Sequence, residues 1–134
     1  MATALIPDEG MGIWLDKLNG GTHSFQLRLF QNNFAPSKSS VYANFTDATF
    51  SGYFGSTVAW GAVSVAANQA TSVASAITFT RSIGATSNTI YGWYLVDIST
   101  SKVFACNLLS SPKAMNTNGD GITITMTEIL GDLP

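Results

Sequence analysis

The first hydrophobic pattern of the chain has a helical period. Four apolar residues are spaced at i, i+3, i+4 and i+7: Met11, Trp14, Leu15 and Leu18. This spacing predicts a short amphipathic helix with Asp8 as its N-cap. Asn19-Gly20-Gly21 then favours the left-handed backbone that ends helices. A helix of about ten residues is only marginally stable by itself, so we expect it to dock through the apolar stripe. The pattern thus predicts an N-terminal segment with a short helix over 1–21.

After these glycines the apolar positions alternate with a period of two. Phe25, Leu27 and Leu29 alternate with other residues, which predicts a strand with one buried face. The last alternating run carries a row of threonines: Thr123, Thr125 and Thr127. About seven or eight short strands, separated by turn signals, fit an all-β, antiparallel β-sandwich of the jelly-roll kind. We therefore predict a single β-sandwich domain over 22–134.

The longest aromatic run, 89–97, has apolar residues at successive positions. Alternation assigns them to two faces of a strand: Tyr91, Trp93 and Leu95 on one, and Ile90, Tyr94 and Val96 on the other. Because continuous apolar runs are typical of strands covered on both sides, we expect both faces to be buried. Tyr91, Trp93 and Tyr94 also permit a second interpretation, an aromatic platform on which sugars or single-stranded nucleic acid stack, although the lack of nearby arginines disfavours nucleic acid.

Composition narrows the range of partners. Hydrophobic residues make up 46% of the 134 residues, charged residues make up 10%, and the formal net charge is -2. An average globular domain has about 25% charged residues. With so few basic side chains to neutralise phosphates, we expect neither nucleic acid nor a membrane surface as a partner. Because little like charge opposes contact between copies, we expect a homo-oligomer.

The cysteine content and the first residues indicate where the chain is made. Cys106 is the sole cysteine and cannot form a disulfide within the chain. This is typical of proteins made in a reducing cytoplasm. Residues 1–7 have neither a basic region nor a long apolar run, so we expect no signal peptide.

Few side chains are suited to catalysis. His23, the only histidine, and Cys106 form a conceivable nucleophile pair. However, Cys106 belongs to an apolar run, which is typical of a buried and inert thiol. His23 follows Gly20-Gly21-Thr22 in a linker, where we expect it to be exposed or lightly packed. Asp47 and Asp97, each near an aromatic run, are the carboxylate pair to consider for glycoside hydrolysis. We expect no catalytic residue and no enzyme.

The segment 116–121, with the sequence NTNGDG, resembles part of a calcium-binding loop. Its oxygen-bearing side chains alternate, but its first position has no carboxylate and its twelfth position is Thr127. A hairpin turn at Asn118-Gly119 explains the same residues more simply. We therefore predict a turn, and we expect no metal and no other cofactor.

Three stretches of the chain carry a resemblance to a known group of proteins. They are LRLFQNN at 27–33 with Pro36, FTDATFSGY at 45–53, and YGWYLVD at 91–97. In this order and spacing they resemble small β-rich structural proteins that are encoded among the virion genes of tailed bacteriophages. The stretches 5–10 and 119–124 fit as well. Between Lys102 and Leu109 the chain departs from that pattern, so several virion roles stay open.

The resemblance implies a non-enzymatic virion structural protein. The first expectation is a capsid cement or decoration protein that forms oligomers and stabilises the shell. The alternatives are a tail, baseplate or fibre-associated module, or a carbohydrate-binding module for host adsorption. The implied partners are further copies of the chain and the major capsid protein or other virion proteins. The implied location is the virion, with the chain made in the host cytoplasm.

The N-terminal segment supplies the candidate contact site. The segment 1–14 places several large apolar side chains outside the predicted sandwich. The residues expected to touch a partner are Leu5, Ile6, Met11 and Trp14. The other interpretation is that the segment covers an edge of the sheet.

Overall fold

The computed structural model describes residues 4–131, and this part of the chain is mostly β. It begins with one α-helix, α1 (Asp8–Leu18), and a 3-10 turn lies at Tyr42–Asn44. Nine strands follow α1 within the described residues: β1 (Phe25–Phe30), β2 (Ser56–Thr57), β3 (Ser64–Ala66), β4 (Gln69–Val73), β5 (Ile77–Thr80), β6 (Asn88–Asp97), β7 (Lys102–Met115), β8 (Gly121–Ile124) and β9 (Thr127–Gly131). The predicted all-β class is confirmed, with more strands than expected. Among these residues, no helix is long and apolar enough to cross a membrane.

The strands form three antiparallel sheets. The largest, called the central sheet below, has the order β2-β1-β6-β7. A second sheet has the order β3-β4-β9, and β5 pairs with β8. In the pairs β1–β6, β4–β9 and β5–β8, the two strands are far apart in the sequence. Each sheet therefore depends on contacts that are remote along the chain.

The central sheet separates two hydrophobic cores. The major core contains Trp93 of β6 and extends to the two-stranded sheet of β5 and β8 through Phe79 and Ile122. The minor core contains Tyr94 of β6 and, on the same side, Phe45. The rings of Phe45 and Tyr94 stack at a centroid distance of 4.7 Å. The expectation that β6 is buried on both faces is thus confirmed.

The alternation of β6 is interrupted at Gly92. Ile90 pairs with Lys113 of β7, whereas Gly92 pairs with Leu108, so several residues of β7 lie opposite Tyr91 alone. An irregularity of this kind changes which face the following side chains occupy. Ile90 accordingly lies in the major core and Tyr91 packs against the minor core. The predicted faces of these two residues are wrong, because strict alternation cannot include a register shift.

The N-terminal segment pairs with the outer edge of β7. The amide of Leu5 donates to the carbonyl of Cys106 at 2.8 Å, and the amide of Cys106 donates back to Leu5 at 2.9 Å. Further along, the amide of Val103 donates to the Glu9 carboxylate at 2.6 Å. Unpaired groups at a sheet edge are open to other chains, so the segment protects this edge. The helix of the predicted 1–21 segment is therefore attached to the β-domain through β7.

Helix α1 docks through a different face from the predicted one. Gly10 and Ile13 are buried, whereas Met11 is 48% and Leu15 is 62% exposed. A methyl group at Gly10 would overlap the carbonyl oxygen of Phe104, so the missing side chain lets the helix approach β7 closely. Because of this close approach, α1 packs against β7 through the face that carries Gly10, and Met11 and Leu15 of the apolar stripe are exposed to solvent. The predicted cap is also displaced: Asp8 is the first helical residue and makes no capping bond.

Two glycines of α1 provide a test of this packing. We expect Gly10→Ala to lower the free energy of unfolding by about 1–3 kcal/mol, because its methyl group must displace the backbone of β7. Gly12 has open space around its Cβ position. Gly12→Ala should therefore raise the free energy of unfolding by about 0.5–1 kcal/mol through helix propensity. Urea unfolding of both variants measures the difference; equal effects would contradict the close approach.

Candidate functional site

The four residues proposed from the sequence as a contact site come together in the structure. Leu5, Ile6, Met11 and Trp14 line one open depression of about 590 Å³. The complete lining, called the N-terminal apolar surface below, consists of Ala4, Leu5, Ile6, Met11, Trp14, Leu15 and Lys38. One basic side chain thus accompanies six apolar ones. Clustered exposed apolar groups are typical of sites that bind another protein.

Three parts of the chain position this surface. The extended residues 4–6 are held by the pairing of Leu5 with β7. Met11 and Leu15 lie one turn apart on α1 and therefore on the same side of the helix. The loop that carries Lys38 is attached to the start of α1, because the backbone carbonyl of Lys38 accepts a hydrogen bond of 2.9 Å from the Asp8 amide. Backbone contacts thus hold the surface, in which Met11 and Leu15 are exposed. Ile6 and Trp14 are half-buried and also pack against the major core, and Leu5 packs against the minor core.

A second concave site lies behind this surface and was not predicted. All three tryptophans of the chain, Trp14, Trp60 and Trp93, line a cavity of about 460 Å³. We call it the tryptophan cavity. Trp14 lies in α1 and Trp93 in β6, whereas Trp60 forms an isolated β-bridge with Ala74. Only folding brings these distant positions together, so no local pattern in the sequence could reveal the cavity.

Polar residues complete the wall of the tryptophan cavity. They are Asn107 of β7, Thr125, and Thr127 and Glu128 of β9. The cavity therefore combines aromatic rings with hydrogen-bonding groups. Pockets of about 300–1,000 Å³ with this mixture are typical small-molecule sites.

His23 is bound between two carboxylates. Its Nδ1 lies 2.8 Å from the Asp97 carboxylate, and its Nε2 lies 3.0 Å from that of Asp16. The His23 side chain is 5% exposed, so it is enclosed more tightly than the exposed or lightly packed histidine that the sequence predicts. The hydrogen bond with Asp97 raises the pKa of His23, against the opposing effect of burial. Through these two hydrogen bonds, His23 links Asp97 at the end of β6 to Asp16 of α1.

Asp97 is the anchor of this cluster. Burial opposes its ionisation, but hydrogen bonds from Ser99, Thr100 and His23 hold the pKa of the Asp97 carboxyl well below its usual range. The hydroxyl groups of Ser99 and Thr100 each donate to it at 2.6 Å. The sequence carried a signal for this arrangement, since aspartate followed by serine and threonine favours a local turn.

The structure does not bring the conceivable catalytic residues together. Cys106 is buried and its pKa is raised to about 12 by that burial, while both ring nitrogens of His23 face carboxylates. Asp47 accepts a hydrogen bond of 2.7 Å from the Tyr53 hydroxyl, in a cluster separate from that of Asp97. These contacts hold loops and strands in place.

The segment 116–121 forms a turn that uses its own carboxylate. The Asp120 carboxylate accepts hydrogen bonds from the amides of Thr117 at 2.7 Å and Asn116 at 3.0 Å. Gly119 has a φ of 92°, which favours glycine. The turn connects β7 to β8, which do not pair with each other, so the predicted hairpin is wrong. In residues 4–131, no three His, Cys, Asp or Glu side chains are arranged to hold a metal ion.

The aromatic platform considered for Tyr91, Trp93 and Tyr94 does not form. Trp93 lies in the major core, whereas Tyr94 lies in the minor core on the opposite face of β6. Trp93 contributes instead to the tryptophan cavity.

Comparison with protein-family models, with curated proteins and with solved structures finds no match to the chain. The functional conclusion therefore depends on the sequence and on the geometry described above.

The His23 contacts make stability depend on pH. Because folding raises the pKa of His23, the protonated ring stabilises the fold fully below about pH 6.5. This stabilisation is lost as the pH rises through the raised pKa. Because folding lowers the pKa of Asp97, the ionised carboxylate stabilises the fold fully above pH 3.8. This stabilisation is lost as the pH falls through the lowered pKa.

We expect NMR titration to give a lower His23 pKa in Asp16→Asn. Asp47→Asn, outside the cluster, is the matched control and should leave that pKa unchanged. Equal His23 pKa values in wild type and Asp16→Asn would refute the contact.

Proposed function

We propose that the chain is a non-enzymatic structural protein of a tailed-phage virion, and specifically a capsid cement or decoration protein. The observation that carries this proposal is the N-terminal apolar surface. It places the exposed side chains of Met11 and Leu15 on a helix fixed to the central sheet. A protein that stabilises a shell needs such a fixed, uncovered contact surface and needs no reactive group.

The sequence resemblance and the low charge support the same proposal. Only 10% of the residues are charged, and Lys38 is the single charged residue of the N-terminal apolar surface. Such a surface opposes contact with a partner only weakly. We infer that it faces the major capsid protein.

A second exposed region supports contact between copies. β3 is an edge strand of its sheet, and all its residues are exposed, with Val65 at 76%. An exposed edge with an apolar side chain favours pairing with another strand. We infer that β3 joins copies of the chain. An oligomer binds several shell subunits at once, so that weak single contacts add through effective concentration.

We also propose that the domain is a β-sandwich of the jelly-roll kind. In support, the major core combines Leu27 of β1 with Phe79 of β5 and Ile124 of β8, so the central sheet faces a smaller sheet.

A tail, baseplate or fibre-associated role remains the alternative among virion proteins. It requires the same kind of contact surface with a different partner. The choice between head and tail is therefore made by measuring which particle component the chain binds.

Substitutions on the two surfaces test the proposal. We expect the wild-type chain to form oligomers in light scattering and to co-sediment with phage heads that lack it. The double variant Met11→Glu, Leu15→Glu should bind heads at least about tenfold more weakly, since charges replace apolar contact groups, and should stay oligomeric. Val65→Lys should instead dissociate the oligomer.

Ile83→Glu is the matched control. Ile83 is 86% exposed and does not line the N-terminal apolar surface, so its substitution should leave head binding and mass unchanged. A wild-type chain that is monomeric at high concentration and that binds no heads would contradict the proposal.

A further inference from the structure

We propose that the tryptophan cavity binds a neutral saccharide, of the size of one or two pyranose rings. The proposal rests on the cavity alone and does not depend on a virion role for the chain.

The aromatic part of the wall fits one face of a sugar ring. Trp14, Trp60 and Trp93 come from three separate parts of the chain, and all three line the cavity. A pyranose ring presents clustered C–H groups on its faces. These groups contact the negative face of an aromatic ring favourably, while the hydroxyl groups at the ring edge stay free for hydrogen bonds.

The polar part of the wall fits those hydroxyl groups. Among the described residues, no hydrogen bond or ion pair engages the side chains of Asn107, Glu128, Thr125 or Thr127. No buried side-chain polar atom in the described part of the chain lacks a partner, so these groups are accessible. The Asn107 amide can both donate and accept, and the Glu128 carboxylate accepts. The hydroxyl groups of a saccharide can donate to the carboxylate and can both donate to and accept from the amide.

The same groups disfavour other ligand classes. A wholly apolar ligand would remove water from the carboxylate and the amide without replacing its hydrogen bonds, which is costly. An organic cation would use Glu128 and the indole rings but would leave the Asn107 amide without a partner. No basic side chain lines the cavity, so an acidic sugar would meet only the negative charge of Glu128. A neutral saccharide is the class that remains.

Access and size agree with this class. Thr125 and Ile129, which line the cavity, are exposed and mark where it meets solvent. The volume of about 460 Å³ is within the usual range for small-molecule sites. A ligand can therefore enter without unfolding any strand.

Intrinsic tryptophan fluorescence provides the direct test, because all three tryptophans line the cavity. The purified chain is titrated with glucose, galactose, mannose, N-acetylglucosamine, rhamnose, lactose, maltose and cellobiose, and separately with tetramethylammonium chloride. We expect a saturable change with at least one saccharide. Calorimetry then compares variants: Trp60→Ala and Asn107→Ala should each weaken binding about tenfold or more.

Phe54→Ala is the matched control, because Phe54 is an exposed aromatic residue that does not line the cavity. It should change the affinity less than about twofold. If Trp60→Ala fails to fold, Asn107→Ala still tests the site, since it keeps every aromatic ring.

Three results would overturn the proposal. The first is no response to any of the saccharides up to about 10 mM. The second is saccharide binding that Trp60→Ala and Asn107→Ala leave unchanged. The third is a response to tetramethylammonium alone that Glu128→Gln abolishes, which would assign the cavity to organic cations.

Discussion

The pairing of Leu5 with Cys106 is the contact on which both concave sites depend. Its two backbone hydrogen bonds attach the N-terminal segment to the edge of β7, and the contact between Glu9 and Val103 continues the attachment into α1. Each such bond contributes about 1 kcal/mol, so the segment is held by several modest contacts together with the burial of Ile13. Without it, the edge of β7 would be unpaired, and neither site would keep its wall.

The two sites share Ala4, Ile6 and Trp14 but differ in what surrounds these residues. On one side, Met11 and Leu15 extend an open apolar face. On the other side, the wall continues into rings and polar groups from distant strands. Substitutions at the shared residues would disturb both sites, whereas Met11 belongs only to the surface and Trp60 only to the cavity. The N-terminal apolar surface and the tryptophan cavity therefore adjoin each other through the residues that they share.

Sequence patterns predicted what local spacing determines. The period of two located β1 and β6, and the period of 3.6 located α1 within 1–21. They could not predict the docked face of α1, because that face depends on the close contact between Gly10 and the Phe104 carbonyl, where no side chain fits. Nor could alternation predict the faces around Gly92, which depend on extra residues in β7.

Imaging of virions tests the account most directly. In a reconstruction of the phage particle, we expect the chain to lie on the capsid surface in many copies, with Met11 and Leu15 of α1 buried against the shell and β3 against a neighbouring copy. The contradicting result is a particle in which the chain is missing from the head, or in which α1 faces solvent and a different surface touches the shell.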